Sequence, residues 1–262
     1  MKVLILGAGK MVDGILSGLV GKVDMKEWSI FSPSGTSAQA LATRVGAKAV
    51  VDLDQITHPD WILVGCKPQQ LEQLKISLGN RFEDALFISM LAALSEADQM
   101  KILGCKSLIR VMPNLAVKYN QGISLLSSNS ALAQLKRIEE IFHFLGEVVK
   151  VSEEELEELT LLTGSGPAFY YEFSKNLAAS FTSLTPELRE KLVRKVLAGA
   201  AVSASNDHSP LSELTSSVTS KAGVTIAVLE EWRKNNLNEF LNKGILAGKK
   251  RSGEIRAQMK KT

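Results

Sequence analysis

Short apolar runs recur through the first half of the chain, at residues 3–6, 28–31, 49–51, 61–65, 86–90 and 108–112. Between them lie segments whose apolar positions repeat at helical spacing, 11–20, 37–45, 69–78 and 95–103. Runs of three to five mostly apolar residues at this spacing fit buried strands. Their alternation with helices over short links predicts βαβ units and a parallel sheet with helices on both sides. Residues 122–126 and 148–151 read as two more strands around a helix over 131–145, extending the sheet at one edge. After Val151 the pattern changes. Ser152 followed by Glu153, Glu154 and Glu155 reads as an N-cap with acids in the first turn, where the helix dipole favours them. From there on helical periodicity dominates. Gly166-Pro167 opens one helix and Thr185-Pro186 a second, running through 201; residues 211–217 make a third, 226–234 a fourth, and the last reaches 259. On pattern alone the chain is an α/β part over 1–151 and an all-α part over 152–262.

The link after the first strand carries chemistry. Gly7-Ala8-Gly9-Lys10-Met11-Val12 joins a buried strand to a helix. Strand, glycine turn and helix is how a Rossmann-type domain holds the pyrophosphate of a dinucleotide. Gly7 makes the tight turn, Gly9 lets the backbone approach the phosphates, and the helix start at Lys10 and Met11 supplies free N–H groups. Val12 stands where such turns carry a third glycine, so looser strand–helix packing is expected; an ordinary βα turn is the alternative. The second strand runs into Ser32-Pro33-Ser34-Gly35-Thr36, with no carboxylate to accept from both adenine-ribose hydroxyls. That absence leaves room for a 2′-phosphate, which Ser32, Ser34, Thr36 and the local N–H groups could hold, and favours NADP(H) over NAD(H); no arginine lies in the loop, and a plain turn is the other reading.

Composition narrows the class. With 262 residues, 45% hydrophobic and 23% charged, the chain has ordinary globular composition. A net charge of +3, with basic residues scattered, argues against nucleic acid as a partner; Lys249-Lys250-Arg251 and Lys260-Lys261 read as a solvated tail. Cys66 and Cys105 are too few and too far apart for a metal cluster or disulfide scaffold and read as reduced core thiols. His58, His143 and His208 stand alone, so no metal site is expected. No apolar run is long enough to span a bilayer, and the apolar start is too short for a signal peptide; the expected location is the cytoplasm, with no membrane partner.

Four further stretches do not look like packing alone: Gly65-Cys66-Lys67-Pro68-Gln69 and Arg110-Val111-Met112-Pro113-Asn114, each ending a strand; Gly164-Ser165-Gly166-Pro167-Ala168, opening the helical part; and Ser220-Lys221-Ala222-Gly223-Val224-Thr225, opening a helix. In this order and at these distances they resemble pyrroline-5-carboxylate reductases over nearly the whole chain, most specifically in the second and third stretches and in the run 214–229. The resemblance implies an N-terminal Rossmann domain, a helical C-terminal domain that forms a homodimer or larger ring, and hydride transfer from NADPH or NADH to a cyclic imine, giving L-proline. It implies cofactor contacts from Gly7, Gly9, Lys10, Met11, Ser32, Ser34, Cys66, Lys67, Pro68, Ala92 and Asn114, and a small imino-acid substrate held by Ser165, Ser220, Gly223, Val224 and Thr225. The substrate carboxylate maps to the N–H groups of 220–224. Thr225 maps to the hydroxyl that bonds the ring nitrogen and helps proton delivery, and Lys67 is the second candidate catalytic residue. No histidine or carboxylate presents itself as a general acid, and none is needed if the imine arrives protonated.

The chain departs from the family pattern at Val12, at Ala92-Ala93-Leu94 where Ala-Gly-Ile is usual, at Leu115-Ala116 where Thr-Pro is usual, and at Lys221-Ala222 where Pro-Gly is usual. Three alternatives stay open: a reductase of another cyclic imine, a β-hydroxyacid dehydrogenase, and a non-catalytic nucleotide-binding paralogue. The dehydrogenase carries a lysine one helical turn after its interdomain glycines; here Tyr170 stands four residues after Gly166, and Lys175 nine after.

Overall fold

A computed structural model describes residues 1–33, 35–127, 133–220 and 223–259, with the backbone alone of Pro68, Ala133 and Gln134. Its strands are β1 (Val3–Leu6), β2 (Trp28–Phe31), β3 (Lys48–Val50), β4 (Trp61–Val64), β5 (Leu86–Ser89), β6 (Ser107–Pro113), β7 (Gly122–Ser127) and β8 (Gly146–Lys150). They form one sheet in the order β3-β2-β1-β4-β5-β6-β7-β8. The first six run parallel, β7 is antiparallel to β6, and β8 is parallel to β7. The 3-2-1-4-5-6 order is that of a doubly wound dinucleotide-binding sheet, whose direction of winding reverses between β1 and β4.

The helices of this part are α1 (Lys10–Leu19), α2 (Thr36–Val45), α3 (Leu71–Leu78), α4 (Glu96–Leu103), α5 (Ala133–His143) and α6 (Glu153–Thr163). Alternate strand residues face opposite layers. Val3 and Ile5 pack with Ile15 and Leu16 of α1 and Phe142 of α5. Leu4 and Leu6 pack with Leu71 of α3 and Leu103 of α4. Burial on both faces is why β1 and β4 read as unbroken apolar runs. The helix expected over 69–78 starts instead as a 3₁₀ turn at Pro68–Gln70, and another 3₁₀ turn at Leu115–Tyr119 follows β6.

The looser packing expected from Val12 does not occur. Its side chain is fully buried, and its Cγ2 fills the space that a Cβ at Gly65 would need. Gly7, at φ +115°, lies so close to the end of β4 that a Cβ there would stand 2.8 Å from the Gly65 carbonyl oxygen. Removing one glycine from the turn is compensated by a glycine on the neighbouring strand.

The chain divides into two compact units, residues 1–165 with the end of the chain from 249, and residues 166–248. As a compact body the first unit runs past 151/152 to include α6, because α6 packs on the sheet. Its Leu156 is fully buried with Met112 and Leu125. The second unit holds α7 (Gly166–Ala179), α8 (Pro186–Asn206), α9 (Leu211–Ser217), α10 (Val224–Lys234) and most of α11 (Leu237–Met259). The terminal part of α11 belongs to the first unit, where Lys249 and Arg256 pair with Glu158 and Glu157 of α6. None of the described residues of α8, α9, α10 or α11 is buried. On α8, Leu188, Leu192 and Val196 form an exposed stripe one helical turn apart.

Gly65→Ala is expected to destabilise the protein by about 1–3 kcal/mol, the usual cost of overpacking. Denaturant titration of Gly65→Ala, Val12→Ala and the double variant should show favourable coupling of about 1 kcal/mol between the two sites.

Candidate functional site

Register gathers one set of loops. Leu6 lies beside Phe31 and Val64, and Val64 beside Ser89, so the segments after β1, β2, β4 and β5 emerge along one carboxyl edge of the sheet. Gly7 and Gly9 stand there. Gly9 is the N-cap of α1, with extended backbone (φ −78°, ψ 175°) and no side-chain cap. Nothing lies within 4 Å of where its Cβ would be. The N–H groups of the first turn, at exposed Lys10 and half-buried Met11, are therefore left for solvent or an anion. Asp13 sits in the same turn and would oppose an anion, but Arg44 Nη2 and Lys118 Nζ, the latter 3.6 Å away, pair with it. Two cations thus offset its one negative charge.

After β2, Ser32 is half-buried with its Oγ 3.0 Å from Ser37 Oγ, and α2 starts at Gly35 (φ +64°) without a side-chain cap. Ser34 lies outside the described residues. After β4, burial pushes the half-buried Cys66 thiol up to about 11, so it stays protonated near neutrality and offers contact rather than thiolate chemistry. Lys67 is exposed, its backbone N–H donating to Gln70 Oε1 at 3.0 Å. Its ammonium has no partner among the described residues. After β5, Ala92 is exposed and Ala93 adopts φ +68°. An L-residue there costs about 1–2 kcal/mol, which accounts for the glycine usual at this place in the resembled family. Asn114 is buried: its Oδ1 accepts from the Ala116 N–H at 3.1 Å and its Nδ2 donates to Thr163 O at 3.1 Å, tying the end of β6 to α6.

Arg110 of β6 has no solvent exposure. Its Nη1 donates to Glu153 Oε1 at 2.7 Å, and its Nη2 to Glu157 Oε1 at 2.7 Å and to Leu91 O at 3.1 Å. Glu157 Oε2 is also 3.1 Å from Arg256 Nη2. The acidic run is the expected cap: Ser152 and Glu155 form a reciprocal capping box. Its further role as counter-ion was missed by residue pattern. The available signal was Glu153 and Glu157 at i,i+4, on the same helix face, with a lone arginine inside an apolar strand.

In the helical unit, the Gly223 N–H donates to Ser220 O at 3.0 Å, and a Cβ at Gly223 would overlap Ser220 Oγ. Gly223 is the N-cap of α10, extended and without a side-chain cap. The helix starts at Val224, two residues before the expected 226, so Thr225 is the second helical residue and not the cap. Val224 and Thr225 are exposed, and the Thr225 hydroxyl has no partner among the described residues. Lys221 and Ala222 lie outside those residues. The candidates thus fall into two groups. Gly7, Gly9, Lys10, Met11, Ser32, Cys66, Lys67 and Ala92 share the sheet edge; Ser220, Gly223, Val224 and Thr225 share the start of α10. Half-buried Ser165 stands between α6 and α7 in the chain. Among the described residues no group of three or more His, Cys, Asp or Glu could hold a metal ion, and no helix is long and apolar enough to cross a membrane.

In a Cys105→Ser variant, alkylation of Cys66 should rise about tenfold per pH unit from pH 8 to 10, since only the thiolate reacts. Iodoacetamide trapping rates check this.

Two families match the chain. One described as "Pyrroline-5-carboxylate reductase dimerisation" matches residues 153–255, and one described as "NADP oxidoreductase coenzyme F420-dependent" matches residues 2–93. A pyrroline-5-carboxylate reductase of Staphylococcus epidermidis is 28% identical over 97% of this chain and 98% of its own. The structure of a pyrroline-5-carboxylate reductase from Coxiella burnetii, 27% identical, superposes with a TM-score of 0.85 over 97% of this chain and 98% of that one. A Plasmodium falciparum pyrroline carboxylate reductase solved with NADP bound, 21% identical, shares the fold with a TM-score of 0.80 over 98% of each chain. Sheet order, helical second unit and full-length likeness agree: the chain is a pyrroline-5-carboxylate-reductase-like protein.

Proposed function

We propose that the chain is an oxidoreductase that reduces the cyclic imine 1-pyrroline-5-carboxylate to L-proline with a nicotinamide cofactor, NADP(H) in preference to NAD(H). The observation that carries this reading is the turn after β1. Gly7 lies against the backbone of Gly65, and Gly9 opens an uncapped helix with empty space beside its Cα. A pyrophosphate fits such a cradle, because both the room and the unpaired N–H groups are present. Gly7, Gly9, Lys10 and Met11 would hold the pyrophosphate; Cys66, Lys67, Pro68, Ala92 and Asn114 would line the rest of the cofactor. Ser32 and Ser34 would face the adenine ribose, where the lack of a carboxylate after β2 suits a 2′-phosphate. The description of the family matched over 2–93 supports NADP(H), as does the NADP of the Plasmodium falciparum neighbour.

The bound nicotinamide supplies the hydride. The chain supplies orientation and charge. The free N–H groups at the start of α10, from Val224 onward, hold the substrate carboxylate beside Ser220 and Gly223, the Gly223 N–H being already bonded to Ser220 O, and Ser165 lines the substrate. The Thr225 hydroxyl bonds the ring nitrogen and keeps a proton there as the amine forms. Lys67, the second candidate catalytic residue, adds positive charge near the reacting groups.

A second copy completes the helical unit. Exposed apolar stripes of this kind are covered by a partner surface, and the description of the family matched over 153–255 names the association. We infer a homodimer, or a larger homo-oligomer, built through the C-terminal helices. The two free cysteines fit a reducing compartment, the cytoplasm.

NADPH oxidation should depend on pyrroline-5-carboxylate, with the NADH rate lower; turnover of hydroxyacids alone would overturn the reading. Thr225→Ala should lower kcat/KM about tenfold or more, the loss of one hydrogen bond in the transition state, and an unchanged value removes Thr225 from the mechanism. Light scattering should give a multiple of the 28.4 kDa chain mass, and Val196→Asp on α8 should reduce it to a single chain or unfold the helical unit.

A further inference from the structure

The loop after β5 is held in a conformation it would not choose. Ala93 sits at φ +68°, and strain of that sort persists only where surrounding groups over-determine the backbone. Three buried side chains do so. Gln99 Nε2 donates to Leu94 O at 2.8 Å, and to Leu91 O at 3.4 Å. Ser89 Oγ accepts from the Leu91 N–H at 3.2 Å and is itself bonded to Gln99 Oε1. Arg110 Nη2 donates to Leu91 O at 3.1 Å.

Of the three, Arg110 is the hardest to explain by packing. Well-packed apolar residues in place of a buried ion cluster are often neutral or stabilising. Here the cluster also leaves Arg110 Nε buried without a partner, an unmet donor that weakens the case for stability as the reason for the arginine. Its planar fork does something an apolar side chain cannot. It fixes one backbone carbonyl, Leu91 O, at set angles to two carboxylates on a different element, Glu153 and Glu157 of α6.

We propose that Arg110 is a positioning residue for the dinucleotide cofactor. It holds the Leu91 carbonyl against α6 and so sets the backbone of Leu91, Ala92 and Ala93 at the sheet edge. This rests on the dinucleotide reading given above. Arg110 itself, wholly buried, touches neither cofactor nor substrate; its effect passes through the loop.

Arg110→Lys tests the idea, because a lysine keeps the charge but lacks the fork that spans three acceptors. Hydrogen exchange of the 91–94 amides in cofactor-free protein should accelerate about tenfold, while amides of β1 and β4 stay protected. The NADPH dissociation constant by fluorescence, and KM for NADPH, should rise about tenfold, with the imine KM unchanged. Should Arg110→Lys fail to fold, Glu157→Gln, which keeps the shape and removes one charge, is read by the same measurements and should give a smaller rise in both. Unchanged loop exchange and NADPH affinity in a folded variant overturn the proposal, and so does exchange that rises equally throughout the sheet. If wild-type protein binds NADPH without reducing pyrroline-5-carboxylate, the substrate reading fails while exchange and binding still decide for Arg110. If it binds no dinucleotide, both fail.

Discussion

A guanidinium with no exposure to solvent has to be met by charge inside the protein, and Arg110 on β6 imposes that condition on everything around it. Two carboxylates answer it, both from the first turns of α6, and a second arginine, Arg256, answers one of them in turn. With two arginines and two glutamates the cluster is electrically balanced. Removing one partner of a buried pair commonly costs about 3–5 kcal/mol, a large part of the about 5–15 kcal/mol that holds a folded domain together. The pairing accompanies the packing of α6 on the sheet, where Leu156 is buried with Met112 and Leu125. Asn114 makes the same junction a second time through Thr163 O.

The carboxyl edge of the sheet depends, between β1 and β4, on closeness of backbones more than on any side chain. Gly7 and Gly65 face each other across the ends of β1 and β4, and Val12 occupies the volume that Gly65 leaves free. The glycine fingerprint of a dinucleotide turn is read along one segment, but what it secures is a distance between neighbouring strands. A glycine lost from the turn is tolerable where the adjacent strand provides one. The loop after β5 shows the reverse case: Ala93 occupies a left-handed position, and Gln99, Ser89 and Arg110 bond the backbone of Leu91 and Leu94 on either side of it.

The two units meet the hydrophobic requirement differently. The α/β unit buries both faces of its sheet under its own helices. In the helical unit α8 has no buried residue, and its apolar positions recur on an exposed stripe. The dimerisation family matched over 153–255 agrees with a surface of that kind being covered by association.

The amino-acid sequence by itself determined the parts that rest on local order: apolar runs that make buried strands, 3.6-residue periods that make helices, caps at Ser152 and Thr185, and a glycine turn at residues 7–9. Motif spacing carried the resemblance, and with it the candidate residues. Tertiary structure alone decided the rest. The side of the chain on which α6 packs, the use of Glu153 and Glu157 as counter-ions, the room that Gly65 makes for Val12, and the start of α10 at Val224 all depend on partners 40 or more residues away, or on how a loop closes onto a helix. Periodicity reports which way a residue faces along its own element. It carries no record of which distant group will stand opposite, because that is set only when the layers close.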